Sequence, residues 1–136
     1  MHNLKCLFIR TFNLLERYAA MNLDNAILAH YEWKKILKAA IAGKAQLDAA
    51  TISLDNCCEF GKWLYGDGGK QYGKKPEFTA VLQKHKTFHA EAGRVASAIN
   101  AKKYDEASKM IESSAPFGTA SVGVGVAVNA LKRVAV

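Results

Sequence analysis

The chain has 136 residues, a formal net charge of +7 and 50% apolar residues. That length is one domain with enough apolar mass for a core. No apolar run reaches the roughly 18 residues of a membrane span. The lysines are scattered and no nucleic-acid motif accompanies them, so the positive balance reads as solvated helix faces rather than a nucleic-acid surface.

Residues 1–20 read as an amphipathic N-terminal extension, and residues 21–136 as a helical domain. Leu4, Leu7, Phe8, Phe12, Leu15 and Tyr18 form a helical stripe suited to docking or pairing. Arg10, Asn13, Glu16 and Arg17 interrupt it, so it does not read as a secretory signal. The expectation is a cytoplasmic protein whose Cys6, Cys57 and Cys58 are reduced and available as ligands or redox targets.

Asn22 or Asp24 can cap a helix over about 22–42, with Leu23, Ala26, Ile27, His30, Trp33, Leu37 and Ile41 on one stripe. Gly43 is its natural stop. Residues 44–56 are more polar, and Thr51, Ser53, Asp55 and Asn56 offer caps. A short helix over about 56–65 puts Cys58 in its first turn, where backbone N–H groups favour a thiolate. Gly61 weakens that helix, which suggests close approach of another backbone. The glycines of 66–75 predict a loop.

Pro76 opens a helix to Asn100 with Phe78, Val81, Leu82, His85, Phe88, His89, Ala92, Val95 and Ile99 on its inner face. A last helix is expected over 104–132, kinked or interrupted by Pro116, with Ser113 or Ser114 capping its second half. Val122, Val124, Val126 and Val128 alternate as in a strand. A lone strand has no ladder partner, so a helix is preferred despite the glycines. The fold class is thus all-α: an antiparallel, four-helix-bundle-like fold with a short helix carrying a cysteine and an extra N-terminal helix.

His85 and His89 lie one turn apart on one helix face, and His30 lies on a second apolar stripe. Three buried imidazoles without partners would cost on the order of 1–3 kcal/mol each. Shared with a thiol, they form a complete tetrahedral set for zinc. Neighbours on a helix point about 100° apart, so only one of Cys57 and Cys58 faces the histidines. Four protein ligands leave no place for water, which reads as structural or regulatory. There is no nucleophile elbow, phosphate loop or paired-carboxylate motif. No catalytic residue is assigned, and an enzyme is not expected. Glu59 and Glu91 are candidate partners of the imidazoles, with solvated carboxylates as the plainer reading.

These residues resemble the bacterial chemoreceptor zinc-binding domain. The match lies in His30-x-x-Trp33, in Cys58-Glu59-Phe60-Gly61-Lys62-Trp63-Leu64 and in His85-x-x-Phe88-His89, over about residues 22–115. The resemblance selects Cys58 over Cys57. It implies a helical bundle holding one Zn²⁺ through His30, Cys58, His85 and His89. It also implies a homodimer and a sensory role in signalling and chemotaxis, answering zinc or oxidants through a redox-reactive Cys58. The chain carries no methyl-accepting coiled coil or cyclase domain, so it is either a free-standing member or cut from something longer, with a signalling-protein partner as a possible output. The alternatives are a purely structural zinc scaffold or dimerisation protein and, with an open metal position, a small zinc enzyme.

Overall fold

The computed structural model describes residues 21–135. The expected N-terminal extension, 1–20, lies outside the described residues. Among the described residues there are seven helices and no strand: α1 (Leu23–Gly43), α2 (Ala49–Ile52), α3 (Glu59–Leu64), α4 (Asp67–Tyr72), α5 (Pro76–Asn100), α6 (Tyr104–Met110) and α7 (Pro116–Val134).

Three long helices make the bundle, and residue pairings give their directions. Lys132 on α7 pairs with Asp24 on α1, and Gly125 faces Tyr31, so α1 and α7 run antiparallel. Gly123 faces Lys84 and Phe117 packs on Phe88, so α5 and α7 are antiparallel too. α5 and α7 share the most extensive packing. Their inner faces bury Val81, Phe88, Ala92, Val95 and Ile99 against Phe117, Val124, Val128 and Leu131. Each large side chain so buried contributes roughly 1.5–3 kcal/mol. α7 approaches α1 closely because residue 125 lacks a Cβ. One built there would stand 2.3 Å from the Tyr31 hydroxyl.

The fourth wall is made of short pieces. Asp48 caps α2, accepting from the Thr51 N–H at 3.2 Å and the Thr51 hydroxyl at 2.7 Å. The segment then runs antiparallel to α5: Leu47 meets Asn100, Ser53 meets Gly93 and Ile52 meets His89. The reading of Gly61 holds: a Cβ there would lie 1.9 Å from the Asp55 carbonyl oxygen. Tyr65 donates to the Asp55 carboxylate across the same corner.

Several details differ from expectation. Residues 67–72 are helical, not loop, because Gly68 lies flat under the Trp63 indole. Packing there overrides glycine's poor helix propensity. The left-handed residue closing α1 is Lys44 (φ 51), one beyond Gly43. Pro116 does more than kink the last helix; it separates α6 from α7. Ala115 is the N-cap of α7, extended as a residue before proline must be, and neither Ser113 nor Ser114 caps it.

Candidate metal centre

His30 comes from α1, His85 and His89 from successive turns of α5, and Cys58 from the N-cap of α3. The three histidines are buried, His85 completely. One donor atom from each of the four residues lies within 4.8 Å of every other. His85 Nε2 stands 3.1 Å from His89 Nε2 and 3.3 Å from Cys58 Sγ.

Backbone carbonyls orient two of the rings. His30 Nδ1 lies 2.6 Å from the Ala26 carbonyl, and His89 Nδ1 lies 2.9 Å from the Ile52 carbonyl. A carbonyl only accepts, so each Nδ1 carries the proton and each Nε2 keeps its lone pair. His30 Nε2 is buried without a hydrogen-bond partner. His85 has no such tether, and its Nδ1 is the second buried orphan.

Electrostatics keep the rings neutral. Burial pushes His30 down to about 4 and His85 down to about 2, and neighbouring imidazoles add to both. Burial also lowers His89. Cys58 shows where local helix chemistry loses to desolvation. Its Sγ accepts from the Gly61 N–H at 3.2 Å, and the Gly61 and Phe60 amides favour the thiolate. Burial nevertheless pushes the thiol up to about 11. Helix-terminal amides alone therefore leave Cys58 protonated, contrary to the first-turn expectation.

A tetrahedral zinc with Zn–N of about 2.0–2.1 Å and Zn–S of about 2.3 Å has N···N edges of ~3.3 Å and N···S edges of ~3.6 Å. The two short edges here, 3.1 and 3.3 Å, are close to that size. Neutral imidazoles with inward lone pairs, beside an ionisable thiol, are the donor set zinc takes. The residues fit the ion.

Residues 30–96 match the family model described as the chemoreceptor zinc-binding domain, and the match spans all four donors. This segment belongs to that family. Neither a curated protein nor a solved structure gives a significant match to the chain. The family's cofactor is zinc, and the His30, Cys58, His85 and His89 cluster suits such an ion.

The other candidates fall elsewhere. Phe60 and Phe88 wall the zinc-binding cluster edge-on, Phe60 against His30 and His85, Phe88 against His30 and His89. Trp63 stacks on Phe60 one layer out, and Trp33 packs half-buried on the core. Glu91 pairs with Arg94. Cys57 is only 3% exposed and is not among the four converging donors. Cys6, the third cysteine, lies outside the described residues. Cys58 is the free, half-buried thiol. Sequence reasoning missed the Ala26 and Ile52 carbonyls. The α1 stripe implied the first through its i−4 spacing; the second depends on a tertiary approach.

Proposed function

We propose that this protein is a zinc-dependent regulatory module of bacterial signalling. His30 Nε2, His85 Nε2, His89 Nε2 and Cys58 Sγ hold one zinc ion, and the stimulus acts on Cys58. The observation that carries the reading is the convergence of four donors on one buried point, with two imidazole tautomers set by backbone carbonyls. Bound zinc would keep the sulfur ionised at neutral pH.

Cys58 is the reactive position because it alone among the four is not fully buried. Its thiolate attacks a hydroperoxide-class oxidant. A sulfur–oxygen bond forms, the oxidant's O–O bond breaks, hydroxide leaves and sulfenic acid results. A sulfenic acid is a poorer zinc ligand. The change loosens α3 from α5, because ligand binding and folding are coupled. Four protein ligands leave no water position, so the reading is of a sensor and not an enzyme.

The same proposal includes a homodimer in the cytoplasm that passes its state to a signalling protein. Val122 and Val126 stand 59% and 63% exposed on the outer face of α7, which supports the dimer. No described helix is long and apolar enough to cross a membrane. Light scattering at micromolar concentration should give twice the chain mass; a persistent monomer rules the dimer out. The decisive test of the site is mass spectrometry after limited peroxide, with zinc release followed in parallel. Oxidation at Cys58 with loss of zinc supports sensing. Retained zinc with Cys58 unmodified leaves the structural scaffold as the function.

A further inference from the structure

Asn100 lies about three turns beyond His89 on α5, roughly 16 Å along the axis. It is also outside the segment that matches the family. Its carboxamide binds both backbone groups of one distant residue. Oδ1 accepts from the Leu47 N–H at 2.8 Å, and Nδ2 donates to the Leu47 carbonyl at 2.8 Å. This is a side chain imitating a strand partner.

Nearer the metal centre, Gly93 receives Ser53; a Cβ at 93 would stand 2.5 Å from the Ser53 Cβ. One turn further, the Ile52 carbonyl accepts from His89 Nδ1 at 2.9 Å. Positions 100, 93 and 89 are separated by seven and four, so they share one face of α5. The segment from Leu47 to Ser53 is stitched along that face.

The Ile52 carbonyl belongs to a four-residue helix. A helix that short has no stability of its own and cannot hold a carbonyl in place. Its aim must come from the stitching. We infer that Asn100 is a positioning residue for the metal centre. By clamping Leu47 it holds the Ile52 carbonyl on His89 Nδ1, which keeps the His89 Nε2 lone pair turned toward the other donors. The inference rests on the zinc-site reading above. Partners of a ligand's second ring nitrogen typically carry 10- to 100-fold in metal affinity.

The test uses the full chain and two variants that disturb the stitching at different points, Asn100→Ala and Gly93→Ala. Zinc affinity is read by competition with a chromophoric chelator. The His89 tautomer is read from imidazole nitrogen-15 shifts in zinc-free protein. Asn100→Ala should bind zinc about tenfold more weakly. It should also turn the His89 signal from pure Nδ1–H to a mixture of tautomers, which a merely structural loss would not do. Gly93→Ala should behave alike, and Ser53→Gly added to it should recover part of the affinity.

Folded Asn100→Ala protein with wild-type affinity and an unmixed His89 tautomer overturns the inference. Should that variant fail to fold, Gly93→Ala with wild-type affinity and an unmixed His89 tautomer overturns it. A wild-type chain that takes up no zinc sinks the site reading instead, and the tautomer of the variants still shows whether the clamp acts on His89.

Discussion

His85 and His89 sit on a 25-residue helix whose inner face is buried along its length, while Cys58 is presented by a helix of six residues. The two regions are held by different forces. α5 is fixed by apolar packing against α7, which is non-directional and shared among many side chains. The wall from 44 to 75 sends Phe60 and Leu64 into the core but is otherwise tied by single contacts: the Asp48 cap, the Asn100–Leu47 pair, the Tyr65–Asp55 bond and the Asp55 backbone on Gly61. Regions with few buried apolar contacts open first. The centre thus joins imidazoles on long, extensively packed helices to a thiol on the less extensively packed part of the molecule, as the proposed release of Cys58 requires.

Removing the metal should break this comparison most visibly. Free zinc at 1,000 times its Kd adds about 4 kcal/mol, which is roughly 10–20 °C in Tm for a chain of this size. Chelation should remove that increment, and His85→Ala should abolish it. Hydrogen exchange should then rise in 44–65 well before the middle of α5. Equal loss of protection in both regions would show that they form one cooperative unit.

The two adjacent cysteines should separate next. Cys58→Ser replaces the thiolate by a poor zinc ligand and should cost at least about 100-fold in affinity. Cys57→Ser should leave affinity within about twofold, since Cys57 is outside the donor cluster. Equal losses would mean that both sulfurs serve the metal.

Zinc-free protein should also weaken in acid. His30 and His85 ionise near 6.5 when unfolded, but burial pushes them to about 4 and about 2 in the fold. Below pH 6.5 the unfolded chain binds protons that the folded chain refuses, so stability falls with pH. It is full above 6.5, and the His30 part is lost by about pH 4, while the His85 part keeps falling below that. At pH 5 each contributes a loss of up to about 2 kcal/mol. The urea midpoint at pH 7 and pH 5, with chelator present, measures it. No change would place these rings in contact with water.

The same contrast explains what could be read from the residues alone. Over α1, α5 and α7 the apolar period of 3.6 recurs for many turns, and Asn22 and Pro76 mark two starts where the structure has them. The four donors were legible because two lie one turn apart, a third lies on a buried stripe, and Cys58 sits in a distinctive motif. In the wall the period has no room to repeat. The four residues of α2 carry little pattern, and the glycines of α4 point to a loop until Trp63 is seen lying on Gly68. The Ile52 carbonyl and the Asn100 clamp pair residues far apart in the chain, and no local signal announces such pairs.

Two glycine substitutions test the comparison at its finest scale. At Gly61 an added Cβ would meet the Asp55 carbonyl oxygen at 1.9 Å, a backbone atom that cannot step aside alone. Gly61→Ala should therefore cost about 2–4 kcal/mol, by analogy with overpacked cores, and should weaken zinc binding along with the fold. Gly123 lies in the middle of α7, and its nearest neighbour is the Lys84 Cδ at 3.4 Å, part of a flexible chain free to shift. Alanine is better than glycine in a helix interior by about 1 kcal/mol, because glycine surrenders more backbone freedom on folding. Gly123→Ala should accordingly raise stability by roughly 0.5–1 kcal/mol, with zinc affinity unchanged. Denaturant midpoints, measured at low protein concentration so that any dimer is dissociated, give both values. If Gly123→Ala destabilises by more than 1 kcal/mol, the spacing of α5 and α7 is as exacting as that of the wall, and the division into a tolerant core and a directional wall is wrong.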